Sequence, residues 1–332
     1  KTQHWTRPVA MNEFVDDQIQ QALESANSLL VVSHIRPDGD AIGSLLGLGL
    51  ALREIGKEVQ MVSADGVPAA YQHLPGSDLV IKHPKGTFDM VIVLDCSDLK
   101  RVGNALNGYH APDVNIDHHV TNLNFAKYNL VDKKAVATTE ILAVNFSKWN
   151  LPITQSIATV LLTGLLTDTL GFRTSNMTPQ ALRVAADLME LGADMPELYS
   201  QVLIQRSYEA VRFWGRGLTN INRDGSIIWT SLTLEDRKSA GYSGRDDADL
   251  INVLSSINDA LIAIIFVEQP KGGIKVSWRA QPGYDISHIA QFFGGGGHPA
   301  AAGAEIPGSV GDVIGDVLQK TTEYLDSVEQ TK

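Results

Sequence analysis

The sequence predicts an α/β protein, in which a parallel-sheet domain is followed by a smaller α/β domain and a helical connector joins the two. Three observations lead there. Short apolar runs of strand length alternate with longer stretches of helical period across the first half, the pattern of strands laid parallel by helical crossovers. The stretch from Pro179 to about Gly215 is helical in period. From Leu218 the alternation of strands and helices resumes over a shorter span. A chain of 332 residues has room for two such domains. The expected boundaries are 11–192 for the first domain, 193–215 for the connector and 216–328 for the second domain.

In chain order, Lys1 to Ala10 begins without a methionine and shows no periodicity, so it is expected to be a trimming remnant. Leu29-Leu-Val-Val-Ser33 is a buried-strand run. Ala41 to Ile55 carries a helical period and stops at Gly56. Val59 to Ser63 and Met90 to Leu94 read as further strands, and Val114 to Ile116 as a short one. Thr138 to Trp149 and Thr154 to Leu166 read as helices. Strands separated in this way imply a mostly parallel sheet with helices on both faces. Ala181 to Leu191 and then Pro196 to Arg212 continue as helix. In the second domain Ile227 to Leu232, Ala260 to Val267 and Gly273 to Arg279 read as strands, with helices near Asp247 to Leu254 and Ile286 to Phe292.

Composition narrows the function. Hydrophobic residues are 44% and charged residues 20% of the chain, an ordinary globular balance. The longest apolar run, Ile157 to Leu166, is far short of the roughly 20 residues that span a bilayer, so no membrane partner is expected. The single cysteine, Cys96, excludes an internal disulfide and a CxxC zinc site. It reads as a small core residue and fits a reducing, cytoplasmic setting. With 27 basic against 38 acidic residues, net −11, a long basic groove for duplex nucleic acid is not expected. A phosphate substrate should be small, with metal ions supplying the missing positive charge.

The chemistry-bearing residues sit just past predicted strands. His34 follows the first strand, with Asp38 and Asp40 close behind. Asp95 ends Val91-Ile-Val-Leu94, and Asp117-His118-His119 ends Val114-Asn-Ile116. Taken singly these have plain structural readings: Asp38-Gly39-Asp40 as a turn, a strand-end Asp as a helix cap, a His pair as surface or core. Taken together, three strand ends point into one crevice, where open parallel sheets bind ligands. Clustered carboxylates stay ionised only beside cations. A set of His and Asp without thiolate suits Mn²⁺, and accepts Co²⁺, Fe²⁺ or Zn²⁺, better than the all-oxygen shell typical of Mg²⁺. Two ions about 3.5–4 Å apart can share a bridging carboxylate, as in many phosphatases and nucleases.

His34-Ile-Arg-Pro-Asp-Gly-Asp-Ala-Ile-Gly43, Val93-Leu-Asp95, Asp117-His-His119 and Thr167-Asp-Thr169 resemble the four motifs of the DHH phosphoesterase superfamily. Gly294-Gly-Gly-Gly-His298, preceded by Lys275-Val-Ser-Trp-Arg279, resembles its associated domain of the first type. The match runs from about Leu29 to Ala304, and size and architecture are most similar to the nanoRNase and pAp phosphatase group.

The resemblance implies His34 and Asp38 on one metal, Asp40 and His118 on the other, Asp95 bridging them and Asp168 completing the second site. An Asp in an apolar helical run, as at Asp168, is costly to bury unless paired or metal-bound. His119 is implied to face the scissile phosphate as ligand or acid, and Asp117 to orient a neighbouring histidine. Arg279, Gly295, Gly296, Gly297 and His298 are implied to hold the substrate's far nucleotide and phosphate, with the glycines as a loop whose amides approach an anion. Trp278-Arg-Ala280 stands where relatives often read Arg-Ser, which leaves Arg279 as the contact.

The expected activity is hydrolysis, in the cleft between the domains, of short RNA oligonucleotides or dinucleotides such as pApA to nucleoside 5′-monophosphates, with pAp as a further substrate. Alternatives are a cyclic dinucleotide such as cyclic di-AMP as substrate, or a non-catalytic nucleotide sensor, against which the complete ligand set argues. The Gly294–His298 run argues against a type II pyrophosphatase, and the chain has no room for the extra domain of a RecJ-type exonuclease. Trp229, Tyr242, Trp278 and Tyr284 read mainly as packing residues rather than base-stacking platforms. The oligomeric state, a homodimer included, is left open by the sequence.

Overall fold

A computed structural model describes residues 12–329, and the expected remnant Lys1 to Ala10 lies outside the described residues. The chain divides between Gln205 and Arg206 into two compact units.

The first unit is built from α1 (Asn12–Ser25), β1 (Ser28–Val32), α2 (Gly39–Glu54), β2 (Glu58–Val62), β3 (Val80–Ile81), β4 (Met90–Leu94), β5 (Val114–Asp117), β6 (Tyr128–Val131), α3 (Thr138–Asn145), α4 (Gln155–Asp168), α5 (Pro179–Glu190) and α6 (Met195–Tyr199). Its six strands are all parallel, in the order β3-β2-β1-β4-β5-β6. The chain runs outward from β1 to β3, then returns to β4 on the other side of β1. That reversal opens a crevice at the carboxyl ends of β1 and β4.

The two faces of the sheet are covered differently. Leu29, Val31, Ile92 and Leu94 pack with residues of α1 to α5 in one large core. Leu30, Val32, Val91 and Val93 face a smaller cluster with Cys96, Val102 and Ala105. The expectation of helices on both faces is therefore corrected. The chain between β4 and β5 is broken by Gly103, Gly108 and Pro112, residues that favour turns, and forms only a 3₁₀ turn at Leu99–Val102.

Cys96 is fully buried in this second cluster. Burial pushes its thiol up to about 12, with its S–H directed to the Asp98 carbonyl at 3.1 Å. Since the thiolate is the nucleophile, the native protein at pH 8 is expected to leave a disulfide-exchange reagent unreacted and to release one equivalent on unfolding in guanidinium. Rapid native labelling would contradict the packing.

The helical run Pro196 to Arg212 is not one helix. After α6 the chain makes a wide π turn at Ser200–Ile204 and becomes extended at Gln205. A new helix, α7 (Tyr208–Thr219), starts with the Ser207 hydroxyl capping the Ala210 amide. Leu198 and Val202 pack in the first unit's core, whereas Phe213 packs in a core of the second.

The second unit continues from α7 with β7 (Asn222–Asp224), β8 (Ile227–Leu232), α8 (Leu234–Ala240), α9 (Leu250–Leu254), β9 (Ile262–Glu268), β10 (Ile274–Ala280), α10 (Ser287–Phe292), β11 (Gly296–His298), β12 (Ala301–Ile306) and α11 (Val310–Glu329). Its sheet, ordered β11-β12-β10-β9-β8-β7, is mixed, with β8–β9 parallel and the other pairs antiparallel. Trp278 is fully buried and stacks on Phe293, Trp229 packs edge-on to Phe266, and Tyr242 stacks on Phe213. These rings are packing residues.

The glycine run is not a free loop. Gly296 to His298 form β11, paired with Ala301 to Gly303 of β12. A Cβ at Gly295 would lie 2.1 Å from the Gly303 carbonyl oxygen, and one at Gly297 would lie 2.5 Å from that of Ala301. Glycine lets this edge strand lie flat against its neighbour.

Candidate metal centre

The crevice at the carboxyl ends of β1, β4 and β5 collects the residues singled out in the sequence. His34 follows β1, and Asp38 caps α2 by accepting the Ala41 amide at 3.0 Å. Asp40 lies in the first turn of α2. Asp95 follows β4 in a left-handed conformation, φ 53°, which a non-glycine residue adopts at some cost. Its amide still donates to Ile116 at 2.9 Å, so one more hydrogen bond of the sheet holds the strained residue in place. Asp117 ends β5, His118 and His119 follow, and Asp168 is the last residue of α4.

Three overlapping groups result, each with its ligand atoms within 4.8 Å of one another: His34, Asp38 and Asp95; Asp40, His118 and Asp168; and Asp95, His118 and His119. His34 Nε2 is 3.4 Å from Asp95 Oδ2 and 3.9 Å from Asp38 Oδ1. His118 Nε2 is 3.4 Å from Asp168 Oδ2, 3.7 Å from Asp95 Oδ1 and 4.0 Å from Asp40 Oδ2. Donors that share one ion at about 2.1 Å sit about 3–4 Å apart, so these spacings suit a cation between them better than direct hydrogen bonds.

His34 tests the fit. Its Nδ1 donates to the Ile35 carbonyl at 2.8 Å, which in the neutral ring leaves Nε2 with its lone pair. That nitrogen is buried and has no hydrogen-bond partner, and it faces two carboxylates. A buried acceptor aimed at two more acceptors is satisfied by a divalent ion. The donor set as a whole fits two such ions, with Asp95 common to both.

Electrostatics agree. Burial, then the neighbouring Asp95, pushes Asp40 well above the usual carboxylate range. Burial, then the charges of Asp40, Asp38 and Asp95, does the same to Asp168. Burial also works against Asp95, but the rings of His34, His119 and His118 outweigh it and hold the carboxyl below its usual value. Burial lowers His118. For His34 burial is outweighed by the Asp95 carboxylate, and its pKa rises. His119 is raised to about 9; burial opposes this, but the Asp117 hydrogen bond and the Asp95 charge prevail.

Asp117 bonds a neighbouring histidine, as the resemblance implied, while the Asn122–Asn115 support behind it and the contribution of α3 escaped the sequence reading. Asp117 Oδ1 accepts from His119 Nδ1 at 2.6 Å, and its Oδ2 accepts from Asn122 at 2.6 Å. Asn122 is itself tied to Asn115 and the Cys96 carbonyl. The start of α3 bonds Asp40 and Asp95 through Thr138 and Thr139. A Thr-Thr-Glu at a helix start signals capping, but nothing in one sequence says that the carboxylate it meets lies 98 residues away.

In the second unit, His298, Ala301 and Arg279 lie side by side across β11, β12 and β10, with Gly296, Gly303 and Ser277 in the next row of the same face. Gly297 pairs with Ala302 and belongs to the other face, while Gly295 precedes the strand. The Arg279 guanidinium donates to the Trp278 carbonyl at 3.0 Å. Burial lowers its pKa, opposed by the charges of Asp247 and Asp249.

Residues 28–165 match the N-terminal domain of the DHH family, and residues 229–329 match the DHHA1 domain. The chain is 35% identical over 286 residues to the bifunctional oligoribonuclease and PAP phosphatase NrnA of Thermus thermophilus, covering 84% of each protein. It is 27% identical over 313 residues to the protein of the same name from Mycoplasma genitalium, covering 90% of this chain and 95% of that one. An exopolyphosphatase-related protein from Bacteroides fragilis shares the fold, with a TM-score of 0.87 at 24% identity over 98% of this chain and 100% of that one. The extent of identity to the Thermus protein, carried through both domains, makes this chain a member of the DHH phosphoesterase family with a DHHA1 domain, and a hydrolase acting on phosphate esters.

Proposed function

We propose that the protein is a Mn²⁺-type two-metal phosphodiesterase of the cytoplasm that hydrolyses short oligoribonucleotides and dinucleotides such as pApA to nucleoside 5′-monophosphates, and also removes the 3′-phosphate of pAp. The carrying observation is that Asp95 groups with His34 and Asp38 and also lies 3.7 Å from His118, which groups with Asp40 and Asp168. The same activities are in the names of the relatives at 35% and 27% identity. A net charge of −11 supports short substrates over a long duplex.

His34, Asp38 and Asp95 hold one ion; Asp40, His118, Asp168 and again Asp95 hold the other. When bound, the two ions supply positive charge to the phosphoryl oxygens and acidify the attacking water. In pApA and in pAp the bond broken is the same one, O3′–P, so one acid serves both. His119 is that acid. The Asp117 hydrogen bond, 2.6 Å long, keeps its ring oriented and favours its protonated form, and the proton goes to the departing 3′-oxygen. Asn122 and Asn115 fix Asp117 in turn. Arg279, Gly296 and His298, on one face of β10 to β12, hold the substrate's far phosphate and nucleotide, which favours short substrates; Gly297, on the opposite face, and Gly295, before the strand, shape the backbone instead.

The test is hydrolysis of pApA, a five-nucleotide RNA, cyclic di-AMP and pAp by chelator-treated protein, with and without Mn²⁺. The expected result is Mn²⁺-dependent AMP from the two linear RNAs, AMP with phosphate from pAp, and slower attack on the cyclic dinucleotide. A folded sample that binds metal yet turns over none of the four would overturn the substrate assignment.

A further inference from the structure

Helix α3 begins without a cap of its own: the residue before it is Ala137, whose methyl group cannot accept a hydrogen bond. The first-turn amides of a helix need acceptors, and here one carboxylate from α2 supplies them. Asp40 Oδ2 accepts from the Thr138 amide at 2.6 Å, and Oδ1 accepts from the Thr139 amide at 3.0 Å and the Thr139 hydroxyl at 2.7 Å. The Thr138 hydroxyl reaches Asp95 Oδ1 at 3.1 Å. Thr138, Thr139, Asp40 and Asp95 are all buried.

A second element closes on the same pair. Gly164 of α4 lies so near that a Cβ there would be 2.5 Å from Thr139 Cγ2, 2.8 Å from its hydroxyl and 2.9 Å from Asp40 Oδ1. Two helices thus confine one carboxylate, α3 by hydrogen bonds and α4 by leaving no more room than a hydrogen atom takes.

Given the ligand roles proposed above, we infer that Thr139 is a positioning residue, which together with Gly164 fixes the rotamer of Asp40 and so sets the affinity of the Asp40–His118–Asp168 ion site. The physical reason is that a carboxylate with both oxygens already bonded on one side presents only its remaining lone pairs, in a fixed direction, to an ion. The site does not have to order the ligand when it binds. The effect is selective: Thr139 touches Asp40 and not His34 or Asp38, so the other ion site does not depend on it. Losing such outer partners costs about 10–100-fold in metal affinity.

The experiment is Mn²⁺ titration calorimetry on the chelator-treated full chain: wild type, Thr139→Val, Thr139→Ser, Gly164→Ala and Asp40→Asn. Valine keeps the shape of threonine and removes the hydroxyl; serine keeps the hydroxyl. The expected result is that Thr139→Val weakens one of two Mn²⁺ sites about tenfold to a hundredfold and leaves the other unchanged. Thr139→Ser restores it, and Gly164→Ala, which crowds the pair from the other helix, weakens the same site. Asp40→Asn tests the ligand reading by itself and should abolish that site. Wild-type Mn²⁺ binding in Thr139→Val, with Asp40→Asn losing a site, overturns the positioning role alone. Wild-type binding in Asp40→Asn overturns the ligand assignment beneath it. If Thr139→Val does not fold, the serine and Gly164→Ala variants decide: loss of the site in the first, or its full retention in the second, counts against the inference.

Discussion

Replacing Asp95 by alanine is expected to lower Mn²⁺-dependent hydrolysis of pApA by about a thousandfold or more, since an effect of several kcal/mol on the transition state corresponds to about that factor. Asp95 is 1% exposed and sits at the centre of the cluster, 3.4 Å from His34, 3.7 Å from His118 and 3.7 Å from His119. In the proposed arrangement every other ligand belongs to a single ion site, and this one to both. Alanine also fits badly at φ 53°, where Asp and Asn are better tolerated. Asp95→Asn is therefore the cleaner variant, because it keeps backbone and volume and removes only the charge. Both should lose turnover. In thermal melts the wild type should be stabilised by Mn²⁺ and Asp95→Asn should not, because only a bound ion shifts the folding equilibrium. Activity of Asp95→Asn within about tenfold of wild type would exclude the bridging role, since a lost ligand shared by two ions costs more than that.

The first-unit sheet was legible because its central strands are continuous apolar runs. Met90–Leu94 has the bounds read from sequence, and Ser28–Val32 and Glu58–Val62 differ from the reading by one residue at each end. The two outer strands were not. Val80–Ile81 is two residues long, and Tyr128–Val131 mixes polar and apolar side chains, so neither carries a period. In the second unit β11 and β12 are made mostly of glycine and alanine, which lack the β-branched signal of a strand. Their pairing is decided by how closely two backbones can approach, and a linear pattern does not display that. The site divides along the same line. Ligands at strand ends could be read, because the end of a strand fixes where its next residue points. Thr139, Gly164 and Asn122 could not, because each acts on a carboxylate named by the fold alone, 5 residues away for Asn122, 99 for Thr139 and further still for Gly164. Asp168 lies between these cases, a charge at the end of an apolar helix that burial alone makes conspicuous.

Gly295 and Gly296 are neighbours with opposite expected responses to a methyl group, and the pair separates recognition from chemistry. At Gly295 the new Cβ would meet backbone on both sides, the Gly303 oxygen at 2.1 Å and Ala304 Cα at 2.7 Å. Backbone does not yield as a side chain does, so β11 must move off β12 and take His298 out of its row with Ala301 and Arg279. Overpacking of this kind costs about 1–3 kcal/mol. At Gly296 no atom lies within 4 Å of the added Cβ, so Gly296→Ala leaves the fold unstrained and only fills space on the open face. If that face holds the substrate's far end, as proposed, both variants raise the KM for pApA, by about tenfold or more where binding loses about 1.4 kcal/mol. Gly295→Ala does so with a lowered melting temperature, and Gly296→Ala without one. The proposed metal ligands all belong to the first unit, so Mn²⁺ affinity should be unchanged in both. Steady-state kinetics beside calorimetry reads the difference: a wild-type KM in a folded Gly296→Ala would move substrate recognition off this face, whereas a raised KM at constant Mn²⁺ affinity assigns it there.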